Sequence, residues 1–329
     1  MANTHLLRAK LIYPIIEVLR EIHAPVHKVL EQAHIPFDIE NDEELLIAGM
    51  ALRKLMAIVE RDYKMPALGY RIVELGGLEH IANIVEKMKV EGETLFHCLQ
   101  IFCESVNTIV NEAKNWTEKT SEGVWLCHQS TEHLPLGKNV MEQYVIAVFV
   151  SLVRIFVGNS WRPQMVWFER LDATADQAEM ILGAQVFRGQ SCTKVFIEHQ
   201  YALKPNPFKQ KQSKINLEQI TLGKFKDTLQ AMLAPHFKSF VPSITDAALI
   251  TGKSKRSIQR YLQNEGVSYR DLIGQMRFDI AKKRLTMSED TVVEIAADLG
   301  YSSIAHFTRA FKRWQGMTPS QFRQKQSVK

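Results

Sequence analysis

Apolar residues recur at spacings of three and four over most of the chain, which predicts a mainly helical protein. The segment AHFTRAFKRWQGMTP (305–319) shows this pattern clearly. Its apolar stripe, at i, i+4 and i+7, consists of Phe307, Phe311 and Trp314. A second face is small and basic, and consists of Ala305, Thr308, Arg309 and Lys312. Gly316 and Pro319 mark the end of the predicted helix. The pattern fits an amphipathic surface helix and also a helix whose polar face enters a DNA groove.

Two segments upstream repeat one another at an offset of 48 residues, SITDAALITG (243–252) and TVVEIAADLG (291–300). Each opens with Ser or Thr followed three residues later by an acid, which is the capping-box signal for the start of a helix. Each ends in a glycine, Gly252 or Gly300, which suits a tight turn. The repeat therefore predicts two short capped helices, each followed by a turn.

A short amphipathic helix is predicted after each turn. In SKRSIQRYLQN (254–264), Ile258 and Leu262 are expected to face inward, and the second copy lies in residues 305–319. A capped helix, a glycine turn and a basic amphipathic helix form a helix-turn-helix unit, and two copies in register are more specific than one. Between the copies, residues 269–285 predict a helix of roughly 25 Å. Such a helix would hold the two units about one DNA turn, roughly 34 Å, apart.

Charge is distributed unevenly along the chain. Residues 220–329 carry 18 Lys and Arg against 9 Asp and Glu, whereas residues 1–219 carry 23 against 27. The basic third is rich in periodic Leu, Ile, Phe and Ala, unlike a solubilising tail. A folded basic domain indicates a polyanionic partner, with nucleic acid first among the candidates.

At this point the motifs support a resemblance. GYSSIAHFTRAFKRWQGMTPSQFR (300–323), preceded by EIAADL (294–299), closely resembles the second motif of the AraC/XylS family of bacterial transcription regulators. SKRSIQRYLQNEGVSYRDLIGQMR (254–277) resembles the first motif of its ornithine-utilisation-regulator-like branch. The resemblance covers about residues 220–329. It implies an all-α domain with two helix-turn-helix units joined by a long helix.

In regulators of this family, exposed positions of the two recognition helices contact base edges. The resemblance implies base contacts for Arg256, Gln259, Arg260, Ile304, Ala305, His306, Thr308 and Arg309. We expect phosphate contacts from Lys253, Lys255, Lys282, Lys283, Lys312 and Arg313. Ile304 and Ala305 offer only apolar contact, for instance to a thymine methyl. The alternative for Arg260 and Arg309 is a structural ion pair, and the alternative for His306 is a solvated side chain.

The acidic part of the chain has two patterns. Residues 11–118 look helical, with apolar residues spaced three and four apart in several segments. Farther on, VWLCHQS (124–130), QMVWFER (164–170), QVFRG (185–189) and CTKVFIEH (192–199) predict strands. MEQYVIAVFVSLVRIFVG (141–158) is apolar all round and predicts a buried helix packed on the sheet. A further helix is expected to open at Asp172. The order of elements favours an α+β domain.

More loosely, this part resembles the N-terminal effector-binding domain of the same branch, of the arabinose-binding type. The resemblance implies a small-molecule sensor and a self-association surface, without assigning effector-binding residues. LKPNPFKQKQSK (203–214) is rich in Pro and Lys and is typical of a linker. We therefore divide the chain into an effector-binding and dimerisation domain (1–202), a linker (203–219) and a DNA-binding domain (220–329).

Catalytic, cofactor and metal sites have weak support in the sequence. His97, Cys98, Cys103, Cys127, His128 and His133 fit no zinc spacing, and the four cysteines, with Cys192, are interpreted as reduced core residues. Ser130, His133 and Asp172 lack a nucleophile elbow, and the chain has neither a Walker loop nor a GxGxxG motif. Trp125, Trp161 and Trp167 could line a pocket but are more often core residues. We predict no enzyme activity, cofactor or metal.

The leading hypothesis is a sequence-specific DNA-binding transcription regulator that responds to a small-molecule effector. Its expected partners are double-stranded DNA, a second copy in a homodimer, and RNA polymerase if it is an activator. MANTHLLRAK lacks the features of a secretory signal, and the apolar run 144–157 is too short to span a bilayer, so we expect a cytoplasmic protein without a membrane partner. The alternatives are an architectural DNA-binding protein without effector and an enzyme fused to this module.

Overall fold

The computed structural model of the chain describes residues 6–36, 39–41, 45–109, 113–130, 136–170, 175–209, 224–288 and 290–327. Within these ranges the protein is mostly helical, with its main sheet in the N-terminal region. The N-terminal helices are α1 (Tyr13–Glu21), α2 (Val26–Gln32), α3 (Gly49–Asp62), α4 (Leu68–Gly76), α5 (Ala82–Glu91), α6 (Leu95–Ile109), α7 (Lys138–Val157), α8 (Ala175–Leu182) and α9 (His199–Ala202). The strands are β1 (Leu6–Arg8), β2 (Leu46–Ala48), β3 (Ala113–Lys119), β4 (Gly123–Ser130), β5 (Met165–Trp167), β6 (Gln185–Phe187) and β7 (Thr193–Glu198).

The larger sheet has the strand order β3-β4-β7-β5-β6, with β5 and β6 parallel and the other neighbours antiparallel. The predicted buried helix, α7, packs on this sheet, and Phe149 and Val153 share a core with Leu126 and Val195. Because helices cover the side of α7 that faces away from the sheet, the helix is apolar all round. Among the described residues, only α7 is long and apolar enough to cross a membrane. Of its most apolar stretch of 18 residues, 67% is buried inside the protein.

Residues 203–209, the first part of the expected linker, contact the N-terminal helices. Asn206 Nδ2 donates to the carbonyl oxygens of Met88, Lys89 and Gly92 at 2.9–3.2 Å. Phe208 stacks edge-on against Phe156, with ring centroids 5.7 Å apart. The rest of the expected linker, from residue 210, lies outside the described residues.

The described C-terminal region is all helical. Its helices are α10 (Phe225–Leu233), α11 (Ile244–Thr251), α12 (Lys255–Asn264), α13 (Tyr269–Met287), α14 (Val292–Asp298), α15 (Ile304–Gln315) and α16 (Pro319–Ser327). Both predicted capping boxes are present, with Ser243 and Asp246 at the start of α11 and Thr291 and Glu294 at the start of α14.

The predicted turn glycines have left-handed backbones. Gly252 and Gly300 both have φ of +68°. Gly252 lies between α11 and α12, and Gly300 lies between α14 and α15; these are the two helix pairs of the C-terminal region. A side chain added at Gly300 would approach Arg277 Nη2 and Val241 Cγ2, each at 3.3 Å. Glycine is therefore required at this turn by conformation and by space.

One continuous hydrophobic core joins the N-terminal helices to the C-terminal helices. At the junction, Lys54 Nζ on α3 donates to the carbonyl oxygen of Leu249 on α11, at 3.2 Å. Met50 of the same helix lies against Gly252, where an added Cβ would be 3.1 Å from the Met50 side chain. The helix pair α11–α12 is thus in direct contact with the N-terminal region.

Several elements differ from the sequence analysis. The helical interpretation of residues 11–118 is wrong at β2 and β3, because both are short strands whose formation depends on partners distant in sequence. The sequence pattern does not predict strand β1 or helices α10 and α16. The helix expected to open at Asp172 is described as α8 from Ala175, and Asp172 itself lies outside the described residues.

Candidate nucleic-acid interface

Helix α12 presents a polar face opposite a fully buried one. Its N-terminus is capped by Ser254 Oγ, which accepts from the Ser257 backbone N–H at 3.1 Å. Ile258 and Leu262 are fully buried, as predicted. The exposed face carries the predicted base-contacting residues Arg256, Gln259 and Arg260. The helix is therefore fixed by its apolar side, which leaves these side chains available to a partner.

Helix α15 is anchored by aromatic rings. Phe307 and Phe311 are each 2% exposed, and the rings of Phe311 and Phe278 lie 5.2 Å apart. Trp314 is half-buried and stacks edge-on against Phe278, with centroids 5.0 Å apart. The predicted apolar stripe is confirmed, and it packs on the long helix α13. Ring packing of this kind holds the helix at a defined angle and makes its outer face rigid.

The outer face of α15 begins at its first turn. Ile304 is 43% exposed, an unusual position for a large apolar side chain. The other predicted base-contacting residues on this helix are Ala305, His306 and Arg309, which are exposed, and Thr308, which is half-buried. Ser303 Oγ caps the helix by accepting from the His306 backbone N–H, and His306 Nδ1 lies 3.0 Å from Ser302 Oγ. The exposed His306 ring thus also contacts the Ser302 hydroxyl.

Neither Arg260 nor Arg309 forms an ion pair with any residue that the structure describes, so the structural alternative lacks support within the described ranges. Arg260 lies over the Tyr261 ring, at 5.2 Å from the centroid. Arg284, in contrast, is bonded to Asp290 and Asp298, each at 2.7 Å, and ties α13 to α14. Its place at the end of a basic run in the sequence gave no sign of this structural role.

The predicted phosphate-contacting residues lie at the ends of helices. Lys255, Lys282, Lys283, Lys312 and Arg313 are exposed, and Lys253 is half-buried. Arg313 lies over the Trp314 ring at 6.0 Å. Basic side chains at the margins of an exposed helix face suit a phosphate backbone that runs along both sides of a groove.

The residues considered for other chemistry lie elsewhere. All four cysteines are buried and free, and burial raises the pKa of Cys98 and Cys103 to about 12. His133 and Asp172 lie outside the described residues. The structure therefore does not test the triad of Ser130 with these two residues, or a metal site that includes His133. Trp125 and Trp167 cover the outer face of the sheet, with Lys194 Nζ 4.6 Å and 4.0 Å from their ring centroids, and Trp161 is in the core.

Two protein-family models match the chain. The arabinose-binding domain of AraC transcription regulators, N-terminal, matches residues 24–206, and a helix-turn-helix domain matches residues 247–325. The ornithine utilization regulator of Pseudomonas aeruginosa is 34% identical over 83 residues, which are 25% of this chain and 24% of that protein. Several curated relatives, the ornithine utilization regulator among them, are matched over only about a quarter of their own length.

The transcriptional regulator VirS of Mycobacterium tuberculosis aligns over nearly the whole chain. It is 24% identical over 334 residues, covering 97% of this chain and 96% of VirS. Among solved structures, the transcriptional regulator CdpR from Pseudomonas aeruginosa has a TM-score of 0.41 and 16% identity, with 82% of this chain and 90% of that chain covered. Because the arabinose-binding-type family model spans more than half of the chain, the protein belongs to the AraC family of transcription regulators that carry this N-terminal domain.

Proposed function

We propose that the protein is a sequence-specific DNA-binding transcription regulator whose N-terminal domain binds a small-molecule effector. The observation that carries the proposal is the pair of rigid exposed helix faces on α12 and α15. Each follows a capped helix and a left-handed glycine turn, and each presents side chains able to bond base edges. A merely solubilising surface would not need the repeat.

In this proposal α11–α12 and α14–α15 are two helix-turn-helix units, and α13 is the helix that joins them. With 19 residues, α13 extends about 28 Å at 1.5 Å per residue. That length is close to one turn of B-DNA, so the two units could enter successive major grooves on one side of the duplex. Helices α12 and α15 would then be the recognition helices.

Each recognition helix has its own mode of contact in the proposal. Arg256, Gln259 and Arg260 read bases by hydrogen bonds. On α15, Arg309 offers a planar fork for guanine, whereas exposed Ile304 suits a thymine methyl. The cations at the margins, with Lys312 as the example on α15, bind phosphates and set the register of the protein on the duplex.

The remaining assignments are proposals as well. We place the protein in the cytoplasm, as a homodimer without enzyme activity, and RNA polymerase is its further partner if it activates transcription. The division into residues 1–202, 203–219 and 220–329 stays a prediction. The contacts of Asn206 suggest that residues 203–209 move with the N-terminal domain.

A binding titration tests the sequence specificity. The full-length protein is titrated on a duplex enriched from a random pool and on its scrambled counterpart, at several salt concentrations. We expect the enriched duplex to bind on the order of a thousandfold more tightly than the scrambled one. Equal affinity with the same salt slope would indicate an architectural DNA-binding protein, which is the second candidate.

The isolated segment 220–329 tests the domain division. It contains the C-terminal part of the core, so we expect a helical circular dichroism spectrum and weaker DNA binding than that of the full chain. An unfolded segment at neutral pH would show that α11 needs its contact with α3, and the boundary would then be wrong.

A further inference from the structure

A cavity of about 420 Å³ lies inside the N-terminal region, between the helices and the sheet. Its walls are formed mainly by α3, α7 and residues 79–84, with contributions from residues 7–11 and α6, and include Leu52, Met56, Phe102, Val148 and Phe149. A volume of this size is within the range of small-molecule sites in proteins. The predominantly apolar lining favours a ligand with an apolar body.

Arg53 is the exceptional residue in this lining. It is 6% exposed and faces the cavity from α3. Within the described ranges its guanidinium has neither a hydrogen-bond partner nor an acidic partner. Burying a cation without a partner is unfavourable unless the site supplies a compensating charge. Among the described residues this arrangement therefore lacks an anion, and the cavity is where an anion would fit.

The other polar groups of the cavity are consistent with an anionic guest. Arg8 and Lys10 also line the cavity, against one carboxylate, Glu79. His128 stays neutral near pH 7, since burial, assisted by the charge of Arg53, lowers its pKa to about 4. Its Nδ1–H donates to Asn115 Oδ1, at 3.0 Å. Among the described lining residues, the cationic side chains thus outnumber the carboxylates.

A sugar fits the same lining poorly. Tyr144 is hydrogen-bonded to His80 at 2.5 Å, and Asn115 is occupied by Asn107 and His128. A polyol would bury several hydroxyl groups against apolar walls with few free partners, which is unfavourable. The arabinose of the family description is therefore not the ligand that these residues favour.

We propose that this cavity binds a carboxylic acid with an apolar body, whose carboxylate pairs with Arg53. The proposal rests on the proposed function, because it names the chemical class of the effector. A planar guanidinium donates two parallel hydrogen bonds to the oxygens of a carboxylate, and the surrounding burial strengthens these bonds. The apolar body would lie along α6 and α7.

Calorimetric titration of the full-length protein tests the proposal without DNA. The probes are sodium decanoate below its micellar concentration, decan-1-ol as a neutral analogue of the same length, and L-arabinose. We expect decanoate to bind one to one and at least about tenfold more tightly than decan-1-ol. We expect no competition from arabinose. Absence of decanoate binding, or displacement of decanoate by arabinose, would overturn the proposal.

Arg53→Gln assigns the contact, with Arg61→Gln as the matched control. Arg61 is on the same helix, but it is exposed, and among the described residues its side chain is bonded only to its neighbour Asp62. Arg53→Gln should weaken decanoate binding about tenfold or more and leave decan-1-ol binding unchanged, whereas Arg61→Gln should change neither. Equal decanoate affinity in the two variants would contradict the assignment.

Arg53→Lys keeps the positive charge. It therefore distinguishes loss of the charge from a folding defect caused by substitution at this position. This variant should still prefer decanoate over decan-1-ol, and loss of that preference in a folded protein would contradict a charge-based contact. The titration on enriched and scrambled duplexes is performed separately. Failure of decanoate binding with specific DNA binding intact would overturn only the ligand class, and the opposite result would overturn only the proposed DNA function.

Discussion

Arg53 and Lys54 are consecutive residues of α3 whose side chains serve different parts of the molecule. Arg53 faces the cavity of the N-terminal region. Lys54 Nζ donates to the carbonyl oxygen of Leu249, in the last turn of α11. A cation is favourable there, because the last carbonyl groups of a helix have no intrahelical partner. One helix thus contacts both the candidate effector cavity and the first of the two helix pairs.

Lys54→Met is expected to weaken the contact between α3 and α11. It keeps most of the apolar stem and removes the hydrogen bond, so the free energy of unfolding should fall by about 1 kcal/mol. Any effect of decanoate on DNA affinity should become smaller as well. Two sites are coupled only when ligand binding at each site shifts the same structural equilibrium, and the α3–α11 contact links the cavity to α11. Urea unfolding and DNA titrations with and without decanoate measure the two effects. Lys28→Met, at an exposed position of α2, is the control. Identical results for the two variants would show that this contact carries no coupling.

Gly300→Val should destabilise the second helix pair more than Gly316→Val. Both glycines have positive φ, +68° and +76°, so both substitutions strain the backbone by about 1–3 kcal/mol. Only at Gly300 would the new side chain also meet Arg277 and Val241. Thermal melts should therefore show a larger decrease for Gly300→Val. Equal decreases would mean that neighbouring side chains move aside without cost, and a wild-type melting temperature would refute the turn assignment.

The extent of sequence-based prediction differs between the two regions. In the C-terminal region the signals are local, since a cap such as Ser243, a glycine turn and an apolar stripe specify each helix from neighbours in the chain. Strand β3 carries no such signal, because AKNWTEK becomes a strand only when it pairs with β4. Arg53 stands beside another cation in an amphipathic helix and looks solvent-facing in the sequence. Arg53 is nevertheless buried, because α3 packs against elements distant in the sequence, α7 among them.

Lowering the pH should destabilise the protein partly through His236. This residue is 7% exposed, and its pKa is lowered to about 4, chiefly because burial disfavours the charged ring. The unfolded state, with a pKa near 6.5, gains a proton first, so the stability is present above about pH 6.5 and is lost as the pH falls toward 4. Between pH 7 and pH 5 the loss should be about 2 kcal/mol.

His236→Gln removes this titration, and the exposed His306 provides the control as His306→Gln. Urea unfolding at pH 7 and pH 5 should show a smaller difference for His236→Gln than for wild type, with the control unchanged. The other buried histidines contribute equally to all three proteins and therefore cancel from the comparison. An unchanged difference in His236→Gln would mean that His236 is not responsible for the loss.

Arg309→Ala and Lys312→Ala should impair DNA binding in different ways. Arg309 is exposed on α15, opposite the buried Phe307 and Phe311, and has no ion-pair partner among the described residues. The fold does not depend on it, so its guanidinium is free for a guanine edge. Its loss should weaken binding to the enriched duplex by roughly 1–3 kcal/mol and relax the preference at one base pair.

Lys312, in the last turn of α15, should act on the phosphate backbone instead. Its loss should weaken binding to enriched and scrambled duplexes alike and reduce the salt slope by about one unit. Anisotropy titrations at several salt concentrations distinguish the two variants, with thermal melts as the control for folding. If Arg309→Ala weakens binding to both duplexes equally in a folded protein, Arg309 binds phosphate, and a different face of α15 contacts the bases. A large decrease in melting temperature would instead assign Arg309 a structural role, and α15 would be an ordinary amphipathic surface helix.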